Sequence, residues 1–132
     1  MRALSVVSLF VAGCTTAIPA GGKQSLQHGR EVVEKMLAAI QNHDQGAFDA
    51  VVVKGTGVIV THMVAPLDLN LTPTEHACGA GTITEVEPSN LADNGTAVTV
   101  AWKCKPDEPD WDGSMAIKFH VQNGKVAIGE RI

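Results

Sequence analysis

The strongest constraint on how this chain folds is a pair of apolar rows at period two in its C-terminal half. Val98, Val100, Trp102 and Cys104 alternate with Thr99, Lys103 and Lys105, and Met115, Ile117, Phe119 and Val121 repeat the pattern. Asn123-Gly124 follows directly, the residue pair that best accepts the positive φ angles of a tight hairpin turn, and the chain returns through Val126 and Ile128. Successive side chains of a strand point to opposite faces, so a slip of one residue would turn a whole row out to water. The spacing therefore predicts antiparallel strands of fixed register with one covered face.

The covering elements precede the strands. Val33, Met36, Leu37 and Ile40 fall at i, i+3, i+4 and i+7, one apolar stripe at helical period, with Ser25 as the expected N-cap and Glu31 and Lys35 as an i, i+4 ion pair. Asp44 is placed to cap a second, shorter helix that carries Phe48, Val51 and Val52 and ends at Gly55, with a tight join at Asn42 and His43. Beyond Thr56 the chain reads as strand: a β-branched run from Gly57 to Val64, a weaker stretch from Gly79 to Glu87 bounded by Pro88, then the two rows. Helices followed by antiparallel strands give an α+β domain with the helices on one face of the sheet.

The N-terminus speaks to location. Arg2, an apolar run from Ala3 to Gly13 and then Val11-Ala12-Gly13-Cys14 resemble a bacterial lipoprotein signal with its lipobox. This divides the chain into a signal peptide at 1–13, a tether at 14–24 and a single domain at 25–132. A lipidated Cys14 would hold the protein on a membrane, and Thr15 in place of Asp resembles lipoproteins sent to the outer membrane, facing the periplasm. The alternative is cleavage after Ala20 in Ala17-Ile18-Pro19-Ala20, which gives a soluble periplasmic or secreted protein. Either route removes one of the three cysteines from the thiol count and leaves Cys78 and Cys104. On neighbouring strands with Cys78 opposite Cys104, Ala80 faces Trp102, Thr82 faces Val100 and Thr84 faces Val98; a disulfide there contributes about 3 kcal/mol in the chain-entropy model. The other reading is two buried thiols.

Composition excludes some functions. Ten Lys and Arg against 14 Asp and Glu give a net charge of −4, against the basic stripe expected of a nucleic-acid binder. The five histidines, His28, His43, His62, His76 and His120, are scattered, without a His-Glu-x-x-His or Cys-x-x-Cys spacing, so no metal and no cofactor are expected. The loop from Glu108 to Gly113 resembles the start of a calcium loop, but Phe119 stands where the twelfth ligand belongs and Pro109 intrudes; it reads as a solvated acidic turn. Within it, an exposed Trp111 would be a contact point for a partner, whereas Trp102 belongs to the core and His120 to the surface. Two sequons, at Asn70 and Asn94, carry little weight, and Asn94-Gly95 reads as a turn.

The order of elements, the helix join Ala38-Ala39-Ile40-Gln41-Asn42-His43-Asp44-Gln45-Gly46-Ala47-Phe48 and the closing hairpin from Phe119 to Val126 resemble the nuclear-transport-factor-like superfamily, with its SnoaL-like and ketosteroid-isomerase-like branches. The resemblance covers roughly Ser25 to Ile132. It implies two N-terminal helices packed in the concave face of a curved, mainly antiparallel sheet of about five strands, a cone with a pocket at its open end. Many members carry a helix near Ala65 to Glu75, where two prolines here suggest a loop. The isomerase branch uses a tyrosine, and this chain has none. Three functions follow. The first is a non-catalytic envelope domain that binds an apolar small molecule or a protein partner through the pocket, Trp102 or Trp111. The second is a small pocket lyase or isomerase with His62 and Asp68 or His76 as the acid–base pair. The third is a homodimer through the outer sheet face, where Ala97, Ala101 and Ala116 leave room and Lys103, Lys105 and Lys118 oppose a wholly apolar surface.

Overall fold

The computed structural model describes residues 23–69, 78–106 and 109–132; the leader, most of the tether, His76 and the sequon at Asn70 lie outside them. Helix α1 spans Lys23–Gln41. It starts ahead of Ser25, which therefore sits in the first turn rather than capping it, and whose carbonyl accepts the Thr96 hydroxyl at 3.2 Å. The apolar stripe is confirmed: Val33 and Met36 are fully buried, Val32 and Ala39 lie beside them, and Leu37 and Ile40 are half-buried. On the outer face the ion pair is Arg30–Glu34 at 3.5 Å, not Glu31–Lys35, and Glu31 accepts from Gln27 at 3.4 Å. Exposed i, i+4 pairings differ by only tenths of a kcal/mol, so spacing alone does not select among them.

The helix join is as tight as expected. Asp44 N–H donates to Ala39 O at 2.9 Å, and His43 takes a positive φ of 52°. Helix α2, Gln45–Val51, is capped by Asp44, whose Oδ1 accepts Ala47 N–H at 3.1 Å. It stops before Gly55, because Val52 is already extended and bridges Val126, and Val53 N–H donates to Val126 O at 2.9 Å. Pairing to the sheet ends this helix, and Gly55 serves a later turn.

Six strands, not about five, form one sheet: β1 Gly57–Val60, β2 Met63–Pro66, β3 Thr82–Pro88, β4 Thr96–Lys103, β5 Ser114–Gln122 and β6 Lys125–Arg131, in the order β2-β1-β6-β5-β4-β3. The extra strand arises because the run Gly57–Val64 folds back at Thr61 and His62, with Val60 opposite Met63 and Thr61 at φ 56°. Nothing in that run has the Asn-Gly chemistry that announces a turn. Every neighbouring pair is antiparallel except β1 and β6, where Val58 lies opposite Gly129.

The Asn123-Gly124 turn forms as predicted, with φ 54° and 78° and Gln122 opposite Lys125. One residue later the ladder shifts: Val121 faces Val126 but His120 faces Ile128, so Ala127 is the extra residue and Ile128 leaves the row that Val126 belongs to. A second shift lies between Ile83 and Glu85. Before it, Thr82 already faces Ala101 and Ile83 faces Val100, one step from the expected Thr82–Val100 pair, and after it Val86 rather than Thr84 faces Val98. The expected register survives near the cysteines, where Gly79 N–H reaches Lys103 O at 3.4 Å. Such bulges bend strands and increase local twist, which lets this sheet curve around α1. Val98, Val100, Ile117, Phe119 and Val126 meet Val33, Met36 and Phe48 in the core. Trp102 packs edge to face on Phe119 with centroids 6.3 Å apart.

Candidate functional site

The wide end of the domain is where α1 stops, β3 begins and β4 ends. There the last turn of α1 stands off from the sheet and leaves a cavity of about 250 Å³. Leu37 and Ile40 form its helical wall, Gln41 and His43 its rim, and the stretch from Cys78 to Gly81 with Trp102 its sheet wall. The site is therefore a half-open cavity with apolar side chains on its helical and indole walls and polar groups at its lip, somewhat smaller than most small-molecule pockets. Among the described residues that line it, none is Asp, Glu, Lys or Arg.

Two local features shape the sheet wall. Cys78 and Cys104 stand paired as a disulfide, with Cα atoms 4.0 Å apart, so the chain entering β3 is held against β4 at the mouth. Gly81 lets the backbone approach Trp102 closely: a Cβ there would lie 2.6 Å from Val100 Cγ1 and 2.9 Å from Nε1 and Cε2 of the indole. The Trp102 side chain is only 6% exposed, as expected of a core residue, yet it also lines the cavity.

The other residues singled out in the sequence lie apart from this chamber. His62 is exposed in the β1–β2 turn, and Asp68 lies past the opposite end of β2. At about 3.3 Å per residue the strand alone separates them by about 13 Å, so they are not brought together; His76 is outside the described residues. Trp111, a contact point for a partner if exposed, is half-buried against the core, and its indole N–H donates to Ser114 O at 3.0 Å. The acidic turn does contain a built feature: Asp112 Oδ1 accepts Ser114 N–H at 2.8 Å. Hydrogen bonds from the Ser114 backbone and side chain hold the Asp112 carboxyl below its ordinary value. Among the described residues no group of three His, Cys, Asp or Glu could hold a metal, and no helix is long and apolar enough to cross a membrane.

The largest departure from expectation is His120. It does face away from Phe119, but it is fully buried rather than at the surface. The turn after β3 folds over it: Ser89 Oγ accepts N–H groups from Leu91 at 3.0 Å and Ala92 at 2.8 Å and lies 2.7 Å from His120 Nδ1. Both lone pairs of that hydroxyl are taken, so its proton goes to Nδ1, which leaves Nε2–H to donate to Glu130 Oε1 at 3.0 Å. The order Ser, His, Glu is that of a hydrolytic relay, but this serine has no lone pair left for attack. It is a clasp that fastens the β3–β4 turn to the convex face. Nearby, Lys118 pairs with Glu87 at 3.2 Å, and Ala97 is buried, so this part of the outer face is covered by its own polar chains. The large exposed apolar side chains of the sheet, Met63 and Val64, stand instead on the edge strand β2.

Known structures share this architecture. Bal32a from a soil-derived mobile gene cassette superposes with a TM-score of 0.57 at 13% identity, over 82% of this chain and 90% of that one. An NTF2-like protein from Cytophaga hutchinsonii gives 0.54 at 16% identity, over 83% and 97%. A putative polyketide cyclase from Sinorhizobium meliloti gives 0.52 at 13% identity, over 77% and 94%. No family model matches the chain, and no curated protein sequence matches it either. The fold is that of the NTF2-like, SnoaL-like cone proteins. At these identities the likeness establishes the fold alone, and fold does not select a function.

Proposed function

We propose that this protein is a binding domain of the bacterial envelope that holds a small, mainly apolar molecule in the mouth of its cone. The observation that carries the reading is the composition of the chamber: Leu37, Ile40 and Trp102 form the body, Gln41 and His43 the lip, with no carboxylate among the described lining residues to pair with His43. Acid–base turnover at neutral pH draws on tuned groups placed within reach of substrate, whereas retention of an apolar molecule needs a sheltered cavity and few polar anchors. Lipidation of Cys14 would hold the domain on the membrane, and an oxidising compartment would keep Cys78 and Cys104 joined.

Titration of ¹⁵N-labelled protein with isopropylbenzene tests the pocket. The expected result is saturable amide shifts confined to Leu37, Ile40 and Gly79 to Gly81; shifts scattered over β2 and the convex face contradict it. Intact mass of the protein from membrane and soluble fractions tests location. A lipid-modified chain beginning at Cys14 that gains two hydrogens on reduction supports the anchored, disulfide-closed form, and a soluble chain beginning at Gly21 removes the membrane.

A further inference from the structure

Trp102 contains a polar group that the fold does not use. Among the described residues no acceptor reaches its indole N–H, while the other tryptophan, Trp111, donates to Ser114 O at 3.0 Å. An indole nitrogen donates and cannot accept, so a buried one normally has a partner. The Trp102 side chain is more than nine-tenths buried, yet its nitrogen is not among the sealed, unpartnered polar atoms; Thr99 Oγ1 is the one such atom among the described residues. The indole lines the chamber, and its pyrrole edge lies toward Gly81, where a Cβ would stand 2.9 Å from Nε1.

We infer that the Trp102 N–H is the anchor of the binding site and that the ligand is a small, neutral, mainly apolar molecule presenting one carbonyl-type oxygen to it. The inference rests on the reading of the mouth as a binding pocket and adds the chemistry of its occupant. Neutrality follows from the lining, which has no Asp, Glu, Lys or Arg among the described residues to offset a ligand charge. The need for an acceptor follows from desolvation: a hydrocarbon filling the chamber strips water from the donor and leaves it unpaired, whereas a ketone, ester or amide oxygen replaces that water. Gln41 and His43 are exposed at the lip, where water competes for their hydrogen bonds. The sheltered indole N–H discriminates more strongly. Gly81 is part of the device, since any side chain there would press on the indole edge.

Acetophenone and isopropylbenzene form a probe pair that differs by a carbonyl oxygen in place of a methyl group. The protein has two tryptophans and hence two indole N–H signals in a ¹⁵N spectrum, and Trp102→Phe identifies one by removing it. With acetophenone the Trp102 signal should move downfield while that of Trp111 stays; with isopropylbenzene the Gly79 to Gly81 amides should respond without that downfield shift. In Trp102→Phe the affinity ratio of acetophenone to isopropylbenzene should fall about tenfold, the loss of one sheltered hydrogen bond. Acetophenone binding at the lining amides with no downfield shift of the Trp102 signal overturns the inference and leaves the pocket standing, as does an unchanged ratio in the variant. If neither probe perturbs the lining amides, the binding reading fails and the inference with it. Where Trp102→Phe does not fold, Trp111→Phe assigns the two signals instead, and the wild-type spectra then decide the matter.

Discussion

Two buried polar residues, His120 and Trp102, stand on opposite faces of the sheet and are treated in opposite ways. On the convex side, His120 is sealed from water with both nitrogens engaged, between Ser89 at 2.7 Å and Glu130 at 3.0 Å, and the serine's remaining capacity is taken up by its own turn. On the concave side, Trp102 is almost as deeply placed, but it lines a cavity and its N–H has no partner among the described residues. A fully paired polar cluster stabilises and specifies a fold, while a sheltered donor with room in front of it is available to something that is not part of the chain. The comparison separates a residue type that looks catalytic but is structural from one that looks structural but can recognise a ligand.

The contrast can be broken at several points. Joining Cys78 to Cys104 should matter most: replacing both by Ser should lower stability by about 3 kcal/mol in urea unfolding and weaken binding at the mouth, because the wall from Cys78 to Gly81 is then tethered only by weak pairing. His120→Ala should cost a similar or slightly smaller amount, about 2 to 3 kcal/mol, since it empties a buried site and strands the Ser89 hydroxyl. Its probe binding should be unchanged, and a loss of binding in a folded His120→Ala protein would contradict the division between faces. Gly81→Ala should cost about 1 to 2 kcal/mol through crowding of Val100 and the indole, and should abolish the acetophenone response.

The smallest effect expected is at the Asp112 turn. Its carboxyl is held below the ordinary value of 3.8 by hydrogen bonds from Ser114, so the interaction is present above that value and is lost as pH falls through the lowered one. A carboxyl-carbon titration by NMR checks this, with Asp112 ionising below the ordinary carboxylate value as the expected result. An ordinary titration for Asp112 would mean that the turn seen between Asp112 and Ser114 does not persist in solution.

Much of the fold was legible because period and turn chemistry agreed. The α1 stripe, the Asp44 cap, the two apolar rows and the Asn123-Gly124 turn each combine a burial pattern with a local geometric requirement. The errors fall where one residue is added or a turn lacks its usual residues. The bulge at Ala127 moves Ile128 to the other face, the one at Thr84 shifts the β3–β4 pairing, and Thr61 and His62 turn the chain without Gly or Asn. Ladder irregularities depend on contacts across the sheet, which neighbours in sequence do not encode.

The site was less legible for the same reason. Trp102 was read correctly as core, and Cys78 and Cys104 were read as facing residues, but the chamber between them and α1 depends on where the helix ends relative to β4. Gln41 and His43 could have been found as the polar residues directly after an apolar stripe, at the end of the helix that meets the cysteines. His120 had no such signal, since its burial comes from a turn that starts at Ser89, far away in sequence.

The most direct test of the account is a crystal structure of the protein with acetophenone. The account predicts the probe in the chamber between Leu37, Ile40 and Trp102, its oxygen about 3.0 Å from Trp102 Nε1, with the His120 clasp unchanged. A probe bound with its oxygen turned to the lip and the indole N–H left bare, or bound on the β2 edge against Met63 and Val64, would contradict it.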